Sequence, residues 1–294
     1  MSATPVVEFC SGYGGATDGM LAAGLEVEVG YDIWPVAVEQ HRVWHPGVPC
    51  EVRDVHGVTR EELAGKFVWA SLPCQPYSTA NRYPERRGRR HEHYYSLAHF
   101  ARQVQDAKCA LIENVPGLVW SKEGRAELNE LERECVRLGL TMTVHLVYSH
   151  WFGVAQWRRR AFIVIGRDLP LVLIQPGRPP TGALERAPVA TEGKGGPGRG
   201  MVLHAAITCH DGGDNIHSSK KKLNKAVNTR RQGAPTKESG SLGMGRSIAK
   251  CAELQGVPTP DVRLTKSDAY KLIGNCVPPL LAESISRQVF GAFP

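Results

Sequence analysis

The 294-residue sequence predicts an α/β protein with a doubly wound, mostly parallel sheet. Two observations support this fold class. Strand-like apolar runs alternate with helical patterns over the first 168 residues, at the spacing typical of βαβ units. The length suits one α/β domain of roughly 200 residues plus an appendage, and 42% hydrophobic residues are enough for a packed core.

The predicted elements follow one another regularly from the N-terminus. Residues 6–10 form a short apolar run that ends at a glycine turn, and a stretch of small residues then predicts a helix extending to Ala23. Residues 27–32 predict the second strand, and Pro35 opens a helix toward Trp44, since proline is common at a first helical position. The remaining predicted elements are strands at residues 67–71, 109–113, 141–148 and 161–166, and helices at residues 96–104, 125–138, 247–254 and 278–290.

Candidate functional residues follow several of these predicted strands. They lie at residues 10–15, at Asp32, at Asp54, at residues 72–75 and at residues 113–115. Ligands of a doubly wound sheet bind beyond the carboxyl ends of its strands. The sequence therefore predicts that these segments meet in one crevice.

The formal net charge of +7 is concentrated in one part of the chain. Residues 176–246 contain 12 basic and five acidic residues, which leaves 24 of each sign in the rest of the sequence. The same segment contains 13 glycines and no Phe, Tyr or Trp. Charge alone leaves two interpretations open: a solvated linker, or a surface that binds a polyanion.

Several classes of protein are excluded by the composition. No stretch approaches 18 consecutive apolar residues, so we expect no transmembrane helix and no membrane partner. Residues 1–5 lead into a strand without a charged or apolar leader, which argues against secretion. The eight cysteines are scattered without a C-x-x-C pair, so we expect neither a disulfide framework nor a metal site. These observations predict a soluble, reduced, intracellular protein.

The turn after the first predicted strand, Ser-Gly-Tyr-Gly-Gly at residues 11–15, is a candidate cofactor site. Glycines permit a tight turn and a close approach of a ligand to the backbone. Asp32 is placed to accept hydrogen bonds from a ribose diol, and Asp54 from an exocyclic amine. Because the spacing G-x-G-x-x-G is missing, a nucleoside cofactor without a pyrophosphate fits better than a dinucleotide. S-adenosylmethionine is the main candidate.

Five further motifs follow in order along the chain. Residues 73–75 read Pro-Cys-Gln directly after a predicted strand, and residues 113–115 read Glu-Asn-Val at the end of another. The others are Gln-x-Arg-x-Arg at residues 156–160, Glu-Leu-Gln-Gly-Val-Pro at residues 253–258 and Gly-Asn-Cys-Val-Pro-Pro at residues 274–279. Together with the glycine turn, they resemble the motifs of the DNA (cytosine-5)-methyltransferases over nearly the whole chain. This resemblance implies the class I fold of methyltransferases that use S-adenosylmethionine.

The chemistry of that family requires a nucleophile. Carbon 5 of cytosine attacks a methyl sulfonium only after a thiolate adds at carbon 6, and the resemblance implies Cys74 as that thiolate. A free thiol has a pKa near 8.5, so we expect the cationic Arg158 and Arg160, and the strand-end position, to favour the thiolate.

The remaining catalytic roles also come from the resemblance. Glu113 would hold or donate a proton at ring nitrogen N3 as the thiolate adds. Arg160 would contact the carbonyl group of the base, and Arg158 would support the site. Pro73 and Asn114 would shape the pocket.

The resemblance likewise implies the residues that bind S-adenosyl-L-methionine. They are Cys10, Ser11, Gly12, Tyr13, Gly14, Gly15, Asp32, Ile33, Asp54, Val55, Asn275 and Val277. Cys10 departs from the family, in which a Phe at this position packs beside the adenine of the cofactor. A Cys leaves more room or weaker packing there.

Double-stranded DNA is the implied partner, and the target cytosine must be flipped out of the duplex to react. Residues 82–90 contain five arginines where the family has a mobile loop that closes on DNA, and the basic segment 176–246 occupies the position of the target-recognition region. The candidate DNA-binding residues are Arg86, Arg87, Arg89, Arg90, Lys220, Lys221, Lys222, Lys225, Arg230 and Arg231.

The motifs divide the chain into three parts. We expect a catalytic and cofactor-binding domain at residues 1–175, a target-recognition segment at residues 176–246, and C-terminal helices at residues 247–294 that return to the catalytic domain. Residues 91–94 read His-Glu-His-Tyr where the family usually has Asp-x-Arg-Gly, a departure that concerns the closing contacts of the loop and not the covalent chemistry.

Three alternatives stay open beside a DNA methyltransferase. They are a catalytically silent DNA-binding homologue, a C5 transferase with a modified cofactor that Cys10 would accommodate, and an enzyme that acts on RNA. We expect a cytoplasmic monomer encoded by a bacterium or a phage, and a cognate restriction endonuclease as a partner stays open.

Overall fold

The computed structural model describes residues 4–74, 77, 95–154, 156–167, 169, 174, 204–205 and 246–293. The strands are β1 (Val6–Phe9), β2 (Val27–Asp32), β3 (Cys50–Val52), β4 (Phe67–Ala70), β5 (Cys109–Asn114), β6 (Thr141–Tyr148), β7 (Gln156–Trp157), β8 (Arg159–Gly166) and β9 (His204–Ala205). The helices are α1 (Gly15–Ala22), α2 (Pro35–Trp44), α3 (Arg60–Leu63), α4 (Leu97–Gln103), α5 (Gly117–Trp120), α6 (Lys122–Leu138), α7 (Ile248–Gln255), α8 (Lys266–Asn275) and α9 (Pro279–Val289). Short 3-10 turns occur at Val55–Gly57, Ser149–Phe152 and Phe290–Ala292.

Seven strands form one sheet in the order β3-β2-β1-β4-β5-β8-β6. The pairs β1–β2, β1–β4, β2–β3 and β4–β5 are parallel, whereas β8 is antiparallel to both β5 and β6. All strands of this sheet except β8 thus run in one direction, which confirms the predicted mostly parallel sheet. One edge carries the carboxyl ends of β1 to β6 together with the amino end of β8.

Apolar layers cover both faces of the sheet. On one face, Ile163 of β8 belongs to a core with Phe100 of α4 and Leu131 of α6. On the other face, Trp69 of β4 belongs to a core with Ile285 of α9. β1 and β4 are buried along their whole length, as expected for central parallel strands that are covered on both sides.

The longest described helix shows how local sequence sets an element. Ser121 caps the amino end of α6 by accepting a hydrogen bond from the Gly124 amide at 2.9 Å, and Gly139 ends the helix in a left-handed conformation with φ of 67°. The helix begins at Lys122, three residues before the predicted start at residue 125. The Ser121 cap lies ahead of the apolar pattern from which the helix was predicted.

Two elements beside the cleft were not predicted. β3 has three residues, two of them exposed, so it lacks a strand-like apolar run. α8 is polar on its exposed face, and its start is marked by Thr265, whose side chain accepts a hydrogen bond from the Asp268 amide at 3.1 Å. This Thr-x-x-Asp pattern is the signal that could have predicted the helix.

The C-terminal helices pack on the same body. Leu281 and Ile285 of α9 share a core with Met20 of α1. Tyr13 belongs to a third apolar core with residues of α7 and α8, including Leu254 and Ile273. Most of the segment 176–246 lies outside the described residues, so the three-part division of the chain stays a prediction.

The cysteines and the helices have simple properties in the part of the chain that the structure describes. No helix there is both long and apolar enough to cross a bilayer. Seven cysteines in this part are free thiols, and Cys109 and Cys135 are buried among apolar residues. The described residues contain no group of three or more His, Cys, Asp and Glu side chains suited to a metal ion.

Candidate functional site

A cleft of about 500 Å³ opens at the edge of the sheet where the strands carry their carboxyl ends. Its walls come from the turn after β1, the end of β2, residues 53–56, residues 71–74 and the C-terminal segment 271–277. Side chains from β5 and β8 complete it. The predicted crevice is confirmed, and it lies where ligands bind in doubly wound sheets.

The glycine turn forms one wall of the cleft. The Cys10 backbone has φ of 56°, the only positive φ of a described non-glycine residue, so β1 ends at Phe9 and the chain bends. The Gly12 amide donates to Oδ2 of Asp32 at 2.9 Å, which ties the turn to the end of β2. Cys10, Ser11, Gly12 and Tyr13 all line the cleft.

Gly14 and Gly15 were predicted to bind the cofactor, but they do not line the cleft. A Cβ atom at Gly14, where φ is 99°, would lie 2.7 Å from the ring of His45. A Cβ atom at Gly15 would lie 2.1 Å from the Val277 carbonyl oxygen. Both glycines therefore lie behind the residues that line the cleft, where they permit the turn to pack closely against α2 and the C-terminal segment.

Asp32 lies at the end of β2 with both carboxylate oxygens engaged by main-chain amides. Besides the Gly12 contact, Oδ1 accepts a hydrogen bond from the Trp34 amide at 2.9 Å. Burial raises the pKa of Asp32, while these amides and Lys271 oppose the rise. Each oxygen keeps a second lone pair, so Asp32 can still accept a hydrogen bond from a ligand. Ile33 also lines the cleft and is 44% exposed.

Asp54 and Val55 lie in the wall that follows β3. Asp54 Oδ1 accepts hydrogen bonds from the His56 amide at 2.9 Å and pairs with His56 Nδ1 at 2.8 Å. The carboxylate is exposed, so these contacts orient it without removing it from the cleft. His56 in turn packs edge-on against Tyr95, with 4.6 Å between ring centroids.

Several residues that line the cofactor half were missed from the sequence, among them Glu8, His56, Tyr95 and Lys271. Glu8 is fully buried in β1, and burial raises its pKa to about 8. Thr17 donates a hydrogen bond to Oε2 of Glu8, whereas Oε1 and the Tyr95 hydroxyl have no hydrogen-bond partner among the described residues. A carboxylate inside the apolar run before the glycine turn was the available signal for Glu8.

The opposite half of the cleft gathers the predicted reacting groups. Cys74 and Pro73 follow β4, Glu113 is the penultimate residue of β5, and Arg160 is the second residue of β8. Nε of Arg160 lies 2.6 Å from Oε1 of Glu113, which makes a half-enclosed ion pair beside the thiol. In the register of β5 and β8, Asn114 pairs with Ala161 and Glu113 with Phe162. Arg160 lies two residues before Phe162 and therefore on the same face of the sheet, so the side chains of Glu113 and Arg160 meet.

Arg158 lies in the interior and is 2% exposed. Its guanidinium donates to the carbonyl oxygens of Gly274 at 3.3 Å and Cys276 at 3.2 Å. Burial, and to a smaller extent the charge of Arg160, lower its pKa to about 9, so the group remains cationic at neutral pH. Arg158 thus joins the reacting end to the C-terminal segment that carries Asn275 and Val277, which both line the cleft.

Asn114 is behind the wall and acts on the chain that carries the thiol. Its Nδ2 donates to the Leu72 carbonyl oxygen at 3.2 Å, and its Oδ1 accepts from the Val115 amide at 2.8 Å. These contacts hold the segment of Cys74 against the end of β5. This agrees with a role in shaping the pocket.

The expectation of a favoured thiolate at Cys74 is wrong for this structure. Burial of the thiol is the largest influence and raises its pKa above the usual range. Arg160 and Arg158 act in the expected direction and lower it, but Glu113 adds to the rise. The balance of these influences favours the thiol form of Cys74 over the thiolate.

The predicted nucleic-acid contacts cannot be placed. Gln75, the loop residues Arg86, Arg87, Arg89 and Arg90, the departure at residues 91–94, and the segment residues Lys220, Lys221, Lys222, Lys225, Arg230 and Arg231 lie outside the described residues. They stay predictions.

Comparison with known proteins bears on this arrangement. The family model of C-5 cytosine-specific DNA methylases matches residues 4–176, which is more than half of the chain. The chain belongs to that family. It is therefore a DNA cytosine-5 methyltransferase by family, and its cleft combines the motifs that identify the family.

Two relatives named type II methyltransferases match nearly all and about half of this methyltransferase, respectively. It is 24% identical to the type II methyltransferase M.MthTI of Methanothermobacter thermautotrophicus, over 97% of this chain and 96% of that protein. It is 32% identical to the type II methyltransferase M.AgeI of Thalassovita gelatinovora, over 54% of this chain and 38% of that protein.

Solved structures support the fold. A DNMT2 mutant of Spodoptera frugiperda matches with a TM-score of 0.66 at 15% identity, over 98% of this chain and 100% of that chain. A putative DNA modification methyltransferase from an Escherichia coli prophage matches with a TM-score of 0.64 at 18% identity, over 98% and 99% of the two chains. The methyltransferase has the class I fold of enzymes that use S-adenosylmethionine.

Proposed function

We propose that this methyltransferase transfers a methyl group from S-adenosylmethionine to carbon 5 of a cytosine flipped out of duplex DNA. One observation carries the proposal: a single cleft has Cys74 and the Glu113–Arg160 pair at one end and Asp32 with the glycine turn at the other. A donor site and an acceptor site that share one cleft allow direct transfer between them.

The residues of the cofactor half fit S-adenosylmethionine. The volume of about 500 Å³ lies within the range of small-molecule sites. Asp32 would accept from the ribose hydroxyls, the open turn at Gly12 lets a ligand approach the backbone, and Oε1 of Glu8 offers a buried polar atom without a described partner. Bound there, the cofactor supplies an electrophilic methyl group on a sulfonium.

Cys74 adds to carbon 6 of the flipped cytosine, and carbon 5 then becomes nucleophilic enough to take the methyl group. Glu113 holds or donates a proton at N3 of the ring. Arg160, whose Nε lies 2.6 Å from Oε1 of Glu113, would also contact the carbonyl group of the base. Transfer leaves S-adenosylhomocysteine; water then takes the proton of carbon 5, the electron pair of that bond restores the 5,6 double bond, and Cys74 departs as a thiolate. The raised pKa of Cys74 favours its thiol form before the base is engaged.

The partners follow from this function. Duplex DNA would contact the carboxyl edge of the sheet, with the arginine-rich residues 82–90 and the basic segment 176–246 supplying phosphate contacts. Because M.MthTI and M.AgeI are named type II methyltransferases, a cognate restriction endonuclease is the proposed cellular partner.

The proposal is tested by incubating the purified protein with tritiated S-adenosylmethionine and duplex DNA. We expect labelled 5-methylcytosine with the natural sequence and none with Cys74→Ser, whereas Cys135→Ser, which changes a buried cysteine of α6 far from the cleft, keeps the label. Label that survives Cys74→Ser would refute the covalent mechanism.

Two further readouts separate the open alternatives. DNA retention without label would indicate a silent homologue, and label on RNA alone would indicate a different substrate. Cys10 stands where the family has Phe and leaves more room for a modified cofactor. Mass spectrometry of the product nucleoside therefore determines the mass of the transferred group. A mass larger than that of a methyl group would indicate a modified cofactor.

A further inference from the structure

Arg159, the middle residue of the three consecutive arginines, has no part in the cleft. It belongs to β8, where successive side chains point to opposite faces of the sheet. Arg160 faces Glu113 and Arg158 is buried, so Arg159 is directed to the other face. The function described so far gives it no role.

An aromatic sandwich holds the Arg159 guanidinium. Its central carbon lies 4.3 Å from the centre of the Trp120 ring and 5.4 Å from the centre of the Tyr148 ring. Its Nη1 donates to the Tyr148 hydroxyl at 3.4 Å. Trp120 is 46% exposed, so the sandwich is open to solvent on one side.

The sandwich lies on the same edge of the sheet as the reacting groups. Tyr148 ends β6 and pairs in register with Arg159 at the start of β8. Trp120 ends α5, which follows the strand that carries Glu113. The cluster is thus next to the Glu113–Arg160 pair, on the edge that a DNA substrate must approach.

Within the described part of the chain, no acidic side chain balances the charge of Arg159. Among the described residues, no carboxylate forms an ion pair with it, whereas Arg160 pairs with Glu113. A guanidinium stacked on aromatic rings keeps its N–H donors free along its edge, and its orientation is already fixed. Such a group suits a phosphate, which accepts hydrogen bonds from an arginine edge.

We infer that Arg159, held between Trp120 and Tyr148, binds a backbone phosphate of duplex DNA beside the flipped cytosine. The inference rests on the proposed function, because that function makes duplex DNA the substrate. A phosphate contact positions the duplex and adds to affinity without reading its sequence.

The test measures binding of a fluorescently labelled duplex across a range of salt concentrations. We expect Arg159→Ala to weaken binding about tenfold on every duplex sequence and to reduce the salt slope by about one, as loss of one phosphate contact does. Arg159→Lys should keep the salt slope and lose about threefold in affinity, since it retains the charge but not the planar stack. Trp120→Ala also keeps the charge and removes the stack, so it should likewise keep the salt slope and lose about threefold in affinity.

Arg167→Ala is the matched control, because Arg167 follows the opposite end of β8 and its Nη1 donates to the Leu138 carbonyl oxygen. It should bind DNA like the natural sequence, and cofactor affinity should be unchanged in all variants. An unchanged salt slope in Arg159→Ala, or a loss of thermal stability alone, would overturn the inference. So would a slope change seen with RNA but not with DNA.

Failure of the proposed function would look different. In that case the natural sequence itself would not label duplex DNA, whether or not it binds it. If the natural sequence labels DNA while Arg159→Ala binds it equally well, the phosphate contact alone is refuted.

Discussion

The two halves of the cleft are built in different ways. The reacting half relies on side chains that face one another. The Cys74 thiol lies beside the Glu113–Arg160 ion pair, and Arg158 is buried behind them. The cofactor half relies on main-chain amides that hold Asp32, and on neutral buried groups such as Glu8. The reacting half should therefore control the rate of transfer, and the cofactor half should control affinity and stability.

The largest expected effect is at the nucleophile. Cys74→Ala should reduce methyl transfer at least about 10³-fold, because the covalent route to an activated carbon 5 is lost. The dissociation constant of S-adenosylmethionine should change less than about twofold, as measured by calorimetry. A large loss of cofactor affinity would show that the two halves are not separable.

The cofactor half gives the opposite pattern. Asp32→Ala should raise the dissociation constant of S-adenosylmethionine about 10- to 100-fold, since it removes a charged acceptor and releases the Gly12 and Trp34 amides. The rate at saturating cofactor should fall much less. Glu51→Ala on the neighbouring strand is the control, because its side chain is exposed and outside the cleft. Equal losses in rate and affinity would contradict the division.

The reacting half was predictable from the sequence because its chemistry requires particular residue types. Cys74, Glu113 and Arg160 each lie in or just after a strand, at the same edge of the sheet, and occur in short motifs, so residue type and sheet topology together predicted their meeting. The fold was predictable for a different reason: buried parallel strands are nearly continuous apolar runs, which are visible in the sequence.

The cofactor half was only partly predictable. His56, Tyr95 and Lys271 come from separate segments that packing alone brings to the cleft. Glu8 occurs in an apolar strand, where sequence does not tell whether a carboxylate is exposed. The raised pKa of Cys74 was missed because it depends on desolvation, which only the packed structure reveals.

The raised pKa of Cys74 can be measured without DNA. Alkylation of Cys74 by iodoacetamide, followed by mass spectrometry, should accelerate as pH rises from 7 to 9 without reaching a plateau, since only the thiolate reacts. Arg160→Gln should slow alkylation at pH 8 about three- to tenfold, because Arg160 is the strongest influence that lowers this pKa. Arg159→Gln is the control, since the neighbouring arginine is directed away from the cleft. A plateau below pH 8 would mean that the resting protein already holds a thiolate.

The smallest effect concerns stability and arises in the cofactor half. Burial raises the pKa of Glu8 to about 8, so between its usual range and pH 8 the folded protein binds a proton that the unfolded chain has lost. Stability must then fall as pH rises through this window. His41 acts in the opposite direction, because burial lowers its pKa to about 4, but that influence fades above pH 6.5.

Comparison with Glu8→Gln isolates Glu8, because the lowered pKa of His41 and the raised pKa of buried thiols such as Cys50 also act between pH 6.5 and pH 8. In this window Glu8 should lower the free energy of unfolding, measured by urea denaturation, by up to about 1.4 kcal/mol per pH unit. Glu8→Gln should flatten this slope because the amide does not titrate, whereas Glu26→Gln, at an exposed glutamate, should retain it. If Glu8→Gln keeps the full slope, another group causes it, and Glu8 is ionised in the folded protein as the charged groups of the reacting half are.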